Sequence, residues 1–207
     1  DFSTRWGAVT VLGYIQDKRS LGPLVERVLR DPNNHVRWRS IWAINQMHDE
    51  ASAAQMRRGL ADEDDTVRWN AAVALSTLGD REALHVLVDG LCSPSSWKKW
   101  EAVNALGRIH DECTVDALLP LLDDEDVRIR QEAALSLGSI GGDKAVQGLL
   151  RALTDNHPGV RWRAAMVLSE AGAEAAVPVL DAALSTETDT FAKGEIEKAL
   201  RKLGRTD

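Results

Sequence analysis

The chain has 207 residues, 44% hydrophobic and 28% charged, a balance that excludes a disordered segment and allows a sizeable core. A formal charge of −7 argues against general binding to nucleic acid or anionic membrane. Two cysteines, Cys92 and Cys113, imply no disulfide framework and point to a reducing, cytoplasmic location. No apolar run reaches membrane-spanning length and no signal peptide is visible. The first residue is Asp1 rather than Met, so a fragment or processed form is expected.

The first predicted element carries Thr4, Arg5, Trp6 and Leu12. Matching positions return after one extra residue, and then at a period of 31. Val36, Val67, Lys98, Ile129 and Val160 mark the period. Arg37, Arg68, Lys99, Arg130 and Arg161 follow one place later, and Ile44, Leu75, Leu106, Leu137 and Leu168 eight places later. From Val160 the apolar residues fall on one face of a 3.6-period helix. Gly79, Gly141 and Gly172 suit the left-handed ends of such helices. Asp17, Asp49, Asp80 and Asp111 then suit N-capping of a second helix. That helix has its own stripe, Leu84, Leu87, Val88 and Leu91 in one repeat and Val146, Leu149, Leu150 and Leu153 in another.

These signals predict an all-α fold, a right-handed α-solenoid superhelix of about six to seven helix pairs, each burying its apolar face on its neighbours. A single domain over 1–207 is expected, with units at approximately 1–31, 32–62, 63–93, 94–124, 125–155 and 156–186. Residues 187–207, with Ala192 to Leu200 matching loosely, read as a C-terminal cap. The N-terminal repeat reads as lacking its first helix. Its apolar end is then a candidate surface for self-association through the terminal repeats.

The recurring Asp, polar residues, Val-Arg, paired Ala, Leu, Gly and Asp resemble HEAT repeats. More narrowly, they resemble the short HEAT-like repeats of phycobilisome lyases, found in bilin lyase subunits of the E/F type. The resemblance covers nearly the whole chain and speaks for fold more than for function. It implies a structural ladder for Asp31 and Arg37, Asp62 and Arg68, Asp124 and Arg130, and Asp155 and Arg161, tying turn to helix between adjacent repeats. In the fourth repeat Ser93 and Lys99 replace both partners together, which suggests pairing.

Seven tryptophans stand beside one tyrosine and two phenylalanines. At about 100° per residue, Trp6, Trp38, Trp42, Trp69, Trp97, Trp100 and Trp162 all lie on the first helix of a pair, opposite its core stripe. The resemblance implies that this helix lines the inner, concave side. Trp rings in successive repeats would then form a row, interrupted at Gln131. Val73, Leu135 and Met166 would widen it, and Arg39 and Arg163 would border it with Glu101 and Glu132 between them. Two readings follow. The row is a binding groove, because contiguous exposed aromatic strips mark interaction sites. Alternatively, the rings stack on neighbouring arginines and stiffen the array.

His48-Asp49-Glu50 and His110-Asp111-Glu112 recur two repeats apart. In the deoxyhypusine hydroxylases, adjacent His and Glu within the inner helix bind iron; here the His falls in the turn, so it reads as a turn residue and no metal site is expected. The acidic turns Asp62–Asp65 and Asp123–Asp126 read as solvated capping loops. No phosphate loop, nucleophile elbow or paired acid and base stands out, so neither a catalytic residue nor a cofactor is expected.

The favoured function is a non-catalytic scaffold that holds a protein or peptide in the Trp-rich groove. The resemblance offers a bilin lyase subunit or chaperone holding a linear tetrapyrrole as the alternative, and the main enzymatic one. A third reading, nucleic-acid binding as in HEAT-like alkylpurine DNA glycosylases, meets the objection that this chain's basic residues are scattered.

Overall fold

A computed structural model describes residues 1–47 and 50–204. Among these residues it contains thirteen α-helices and no strand. The fold is an α-solenoid of helix pairs, and it separates into two compact units, Asp1–Asp89 and Gly90–Asp207.

In the first unit the pairs are α1 (Phe2–Ile15) with α2 (Leu21–Arg30), α3 (Asn34–Met47) with α4 (Glu50–Gly59), and α5 (Asp65–Ser76) with α6 (Leu84–Gly90). The expected missing first helix is therefore present. It is α1, which packs on α3 and exposes Val11, Tyr14 and Ile15. In the second unit, α7 (Ser96–Ile109), α9 (Val127–Ile140), α11 (Pro158–Glu170) and α13 (Thr190–Lys202) pack each on the next. Behind them lie α8 (Val115–Leu118), α10 (Asp143–Ala152) and α12 (Val177–Thr186). The helix α8 is short because Pro120 supplies no N–H, and the chain continues as a 3-10 turn from Leu119 to Asp123.

The turns follow from their residues. Gly79, Gly141 and Gly172 have φ of +68°, +79° and +66°, and His110 takes φ 55°. Asp17, Asp80 and Asp111 accept the N–H groups of Arg19, Glu82 and Cys113, so each caps a 3-10 turn that leads into the second helix. Asp49 lies outside the described residues.

The core is built from Val36, Ile44, Val67, Leu75, Leu106, Ile129, Leu137, Val160 and Leu168, all at most 2% exposed. Burying each such aliphatic side chain stabilises the fold by about 1.5–3 kcal/mol. Small residues bring the first helices close. A Cβ at Gly138 would lie 2.4 Å from the Val167 Cβ, and one at Gly107 would lie 2.6 Å from the Ser136 hydroxyl oxygen.

The turn arginines do two jobs. Within a repeat, the Nη1 atoms of Arg37, Arg68, Arg130 and Arg161 donate to the backbone carbonyls of Asp31, Asp62, Asp124 and Asp155. Between repeats, the carboxylates receive a different arginine. Arg5 reaches Asp31, Arg130 reaches Asp155, and Arg161 reaches Glu187. Asp62 instead accepts from Arg30, and Arg68 pairs with Asp65 in its own helix. Lys99 bonds Asp124 of the next repeat at 2.8 Å, so it is Asp124, not Ser93, that receives its charge.

This ladder predicts acid sensitivity. Burial pushes Asp31 up, but the Arg5 guanidinium and the Asn33 N–H outweigh it and hold the carboxyl below its usual range. Arg161 does the same to Glu187, against burial. A carboxyl whose folded pKa is depressed contributes stability above its unfolded pKa, near 3.8 for Asp31 and 4.5 for Glu187. That stability is lost as pH falls through the lower folded values. In a pH series of thermal melts, Glu187→Gln should flatten the loss below pH 4.5, while wild type falls steeply.

Candidate aromatic faces of the first helices

Trp6 on α1, Trp38 and Trp42 on α3 and Trp69 on α5 belong to the first unit. Trp97 and Trp100 on α7 and Trp162 on α11 belong to the second. Position on the solvent-facing side of a helix does not leave them open. Trp6 and Trp97 are 42% and 60% exposed, whereas Trp38, Trp42, Trp69, Trp100 and Trp162 are half-buried, as is Met166.

In the first unit Trp6 and Trp42 are occupied by their own chain. The Arg39 guanidinium carbon sits 3.8 Å from the Trp42 ring centre and 5.3 Å from that of Trp6. Arg39 Nε donates to Thr10 Oγ1 at 2.9 Å, and Thr10 in turn donates to the Trp6 carbonyl. The Trp42 ring fits because residue 13 is glycine. A Cβ there would lie 2.4 Å from the Trp42 ring. Tyr14 meets Trp42 edge-on, with ring centres 5.4 Å apart. Arg39 is thus a cation held between two rings rather than the border of an open strip.

The second unit differs. Trp97 and Trp100 stack on each other, 5.2 Å apart at 26°. Trp100 covers one face of Trp97, and the outer ring remains mostly in solvent. One helical turn beyond Trp100, Asn104 donates to Glu132 of α9 at 2.5 Å. Farther along, Trp162 meets Phe191 edge-on at 5.4 Å, and the Arg163 guanidinium lies 4.8 Å over the Trp162 ring. Among the described residues the Arg163 Nε is enclosed without a hydrogen-bond acceptor, so this cation too is held by packing.

Tyr14 and Phe191 were not singled out by sequence. Phe191 stands one place before buried Ala192, as Trp97 stands before Lys98, but the extra residue in the last repeat hides that match. A recess of about 390 Å³ near Asp124, Arg130 and Asp155 belongs to the ladder, whose charges are spent on one another. The acidic turns cap helices: Asp64 accepts from the Thr66 N–H and Asp126 from that of Arg128.

His110 occupies its turn with Nδ1 against the Arg108 carbonyl and Nε2 2.8 Å from the Ser139 hydroxyl. His48 and Asp49 lie outside the described residues. Among the described residues, no group of three or more His, Cys, Asp or Glu could hold a metal, and no helix is long and apolar enough to cross a membrane.

The family model for HEAT repeats matches residues 1–75, 84–158 and 115–201, and that for the PBS lyase HEAT-like repeat matches 67–91. No curated protein matches the chain. Among solved structures, an engineered protein is 24% identical over 89% of this chain and 96% of its own, with a TM-score of 0.59. The complex of CpcE and CpcF of phycocyanin lyase from Nostoc sp. PCC7120 is 18% identical, covering 98% and 90%, with a TM-score of 0.55. A designed armadillo repeat protein in complex with peptide (KR)4 is 17% identical, covering 89% and 99%, with a TM-score of 0.61.

Proposed function

Because this chain belongs to the HEAT repeat family, we propose that it is a non-catalytic scaffold that binds a protein or peptide on its Val-Arg helices, chiefly through α7, α9 and α11. The observation that carries the reading is the Trp97–Trp100 stack. A ring that is 60% exposed yet fixed by a second ring gives a rigid apolar anchor at little cost in side-chain entropy. Trp6 and Trp42 already hold Arg39, so their contribution is to the architecture of the first unit. Folds of this kind hold partners: the armadillo structure contains a peptide, and the lyase structure pairs two subunits.

The test compares immobilised wild type, Trp97→Ala and Trp6→Ala in lysate of the source cell, after all three are shown to melt cooperatively. Partners retained by wild type and Trp6→Ala, and lost by Trp97→Ala, support the assignment. Equal retention by all three removes it.

The match of residues 67–91 to the phycobilisome lyase repeat favours a second reading, a bilin lyase subunit or tetrapyrrole chaperone. A visible-absorbing pigment that copurifies and quenches tryptophan emission would select it.

A further inference from the structure

The face of α1 that turns away from α3 is open. Val11 stands seven residues after Thr4, as Ala43 stands after Val36, Ser136 after Ile129 and Val167 after Val160. Those three equivalents are at most 5% exposed, whereas Val11 is 54% exposed. Each is covered by the first helix of the repeat before it, since a Cβ at Gly13, Gly107 or Gly138 would run into Ala43, Ser136 or Val167. Ala8 repeats the contrast: it is exposed, while its equivalents Ser40, Ala133 and Ala164 are fully buried. Thr4 and Ile15 are exposed as well. Thr4, Ala8, Val11 and Ile15 thus form one open line at helical spacing.

A helix that is apolar on all sides belongs in an interior, and Arg5, the one charged residue of α1, is spent on Asp31. The last helix is finished differently. On α13, Lys193, Lys198, Arg201 and Lys202 are exposed, and Phe191 meets Trp162. A polar outer face of this kind closes a repeat array, so α13 offers no match for α1 in a head-to-tail stack. A second α1 does. The first half of the line is small, with Thr4 and Ala8 beside Gly7, where a Cβ would meet nothing. The second half, Val11 and Ile15, is bulky.

We propose that two copies of the chain pair through α1, antiparallel about a twofold axis, with Ala8 of one copy across from Val11 of the other and Thr4 across from Ile15. Each bulky half then covers the small half of the other copy. The pairing gives α1 on its open side the kind of helix contact that it already makes with α3. It goes beyond the scaffold reading and does not rest on it.

The helix is about 21 Å long, so the contact buries on the order of 1,000 Å² and a micromolar dimer is expected. In sedimentation equilibrium of the whole chain, the mean mass should rise from monomer toward dimer between about 1 and 200 µM. Val11→Glu should weaken the dimer about a hundredfold or more, because two like charges enter one apolar contact. Ala8→Glu should act in the same direction. Both sites are open in the single chain, so neither variant should lower the melting temperature measured at low concentration. Arg201→Glu, on α13, should leave association unchanged.

Cross-linking tests the register. In a Cys92→Ser, Cys113→Ser background, a bis-maleimide spanning about 8 Å should join Thr4→Cys chains to Ile15→Cys chains. It should not join Thr4→Cys chains to one another, because those sites lie about 16 Å apart along the helix axis. Should both glutamate variants fold poorly, the cross-links decide. A constant monomer mass to the highest concentration, undiminished association of folded Val11→Glu, equal weakening by Arg201→Glu, or linkage of Thr4→Cys chains to one another in place of Ile15→Cys chains would each overturn the proposal.

Discussion

Arg130→Ala should destabilise the second unit by about 3 kcal/mol, read from urea denaturation. Arg130 Nε and Nη2 grip the Asp155 carboxylate at 2.8 and 3.1 Å, and Nη1 bonds the Asp124 carbonyl at 2.9 Å. The side chains are only 12% and 10% exposed, so neither water nor salt can replace the bond cheaply. Removing the arginine leaves a shielded carboxylate and an unpaired turn carbonyl together. Arg130→Lys should recover much of the loss, because Lys99 already holds Asp124 with one ammonium at 2.8 Å. Lys144→Ala breaks a pair whose side chains are 70% and 69% exposed, and should be indistinguishable from wild type. A similar loss for Arg130→Ala and Lys144→Ala would show that the ladder is not what joins the repeats.

Gly138→Val should cost about 3 kcal/mol, and Val167→Ala in the same chain should recover part of it. An added Cβ would meet the Val167 Cβ at 2.4 Å and both its methyl carbons at 2.8 Å. Both residues sit on packed helices, so relief requires α9 and α11 to separate. A residue with a Cβ usually gains in helix propensity over glycine, by less than about 1 kcal/mol for valine, and the clash should exceed this. Retained stability in the single variant would contradict a close approach of the two helices at Gly138 and Val167.

The helix pairs were legible because burial imposes a 3.6-residue period on each helix, and the repeat imposes 31 on the whole chain. Aspartates placed just after a turn, such as Asp80, announced their caps. Partners across repeats were less legible. The family resemblance tied Asp31 to Arg37 and Asp155 to Arg161, but Arg37 and Arg161 take backbone carbonyls there. The carboxylates go to Arg5 and Arg130, some 25 residues away in sequence.

The tryptophans show the same limit. Periodicity assigns a ring to a helix face, but what lies across from it depends on the next helix. Gly13 decides the fate of Trp42, Arg39 occupies it, and neither signal is visible from the Trp positions alone. Trp97 stays exposed with another tryptophan of its own helix stacked on one face, a pairing that the Trp97 and Trp100 positions alone did not announce.

The most direct test is fluorotryptophan NMR of the intact chain, with each resonance assigned by single substitution, titrated with a partner captured on wild-type protein. The account predicts that the Trp97 and Trp100 resonances move together on binding while those of Trp6 and Trp42 stay in place. Movement of Trp6 and Trp42 with Trp97 and Trp100 unchanged would contradict it, because the exposed stack would then be surface and the arginine-filled cluster the binding face.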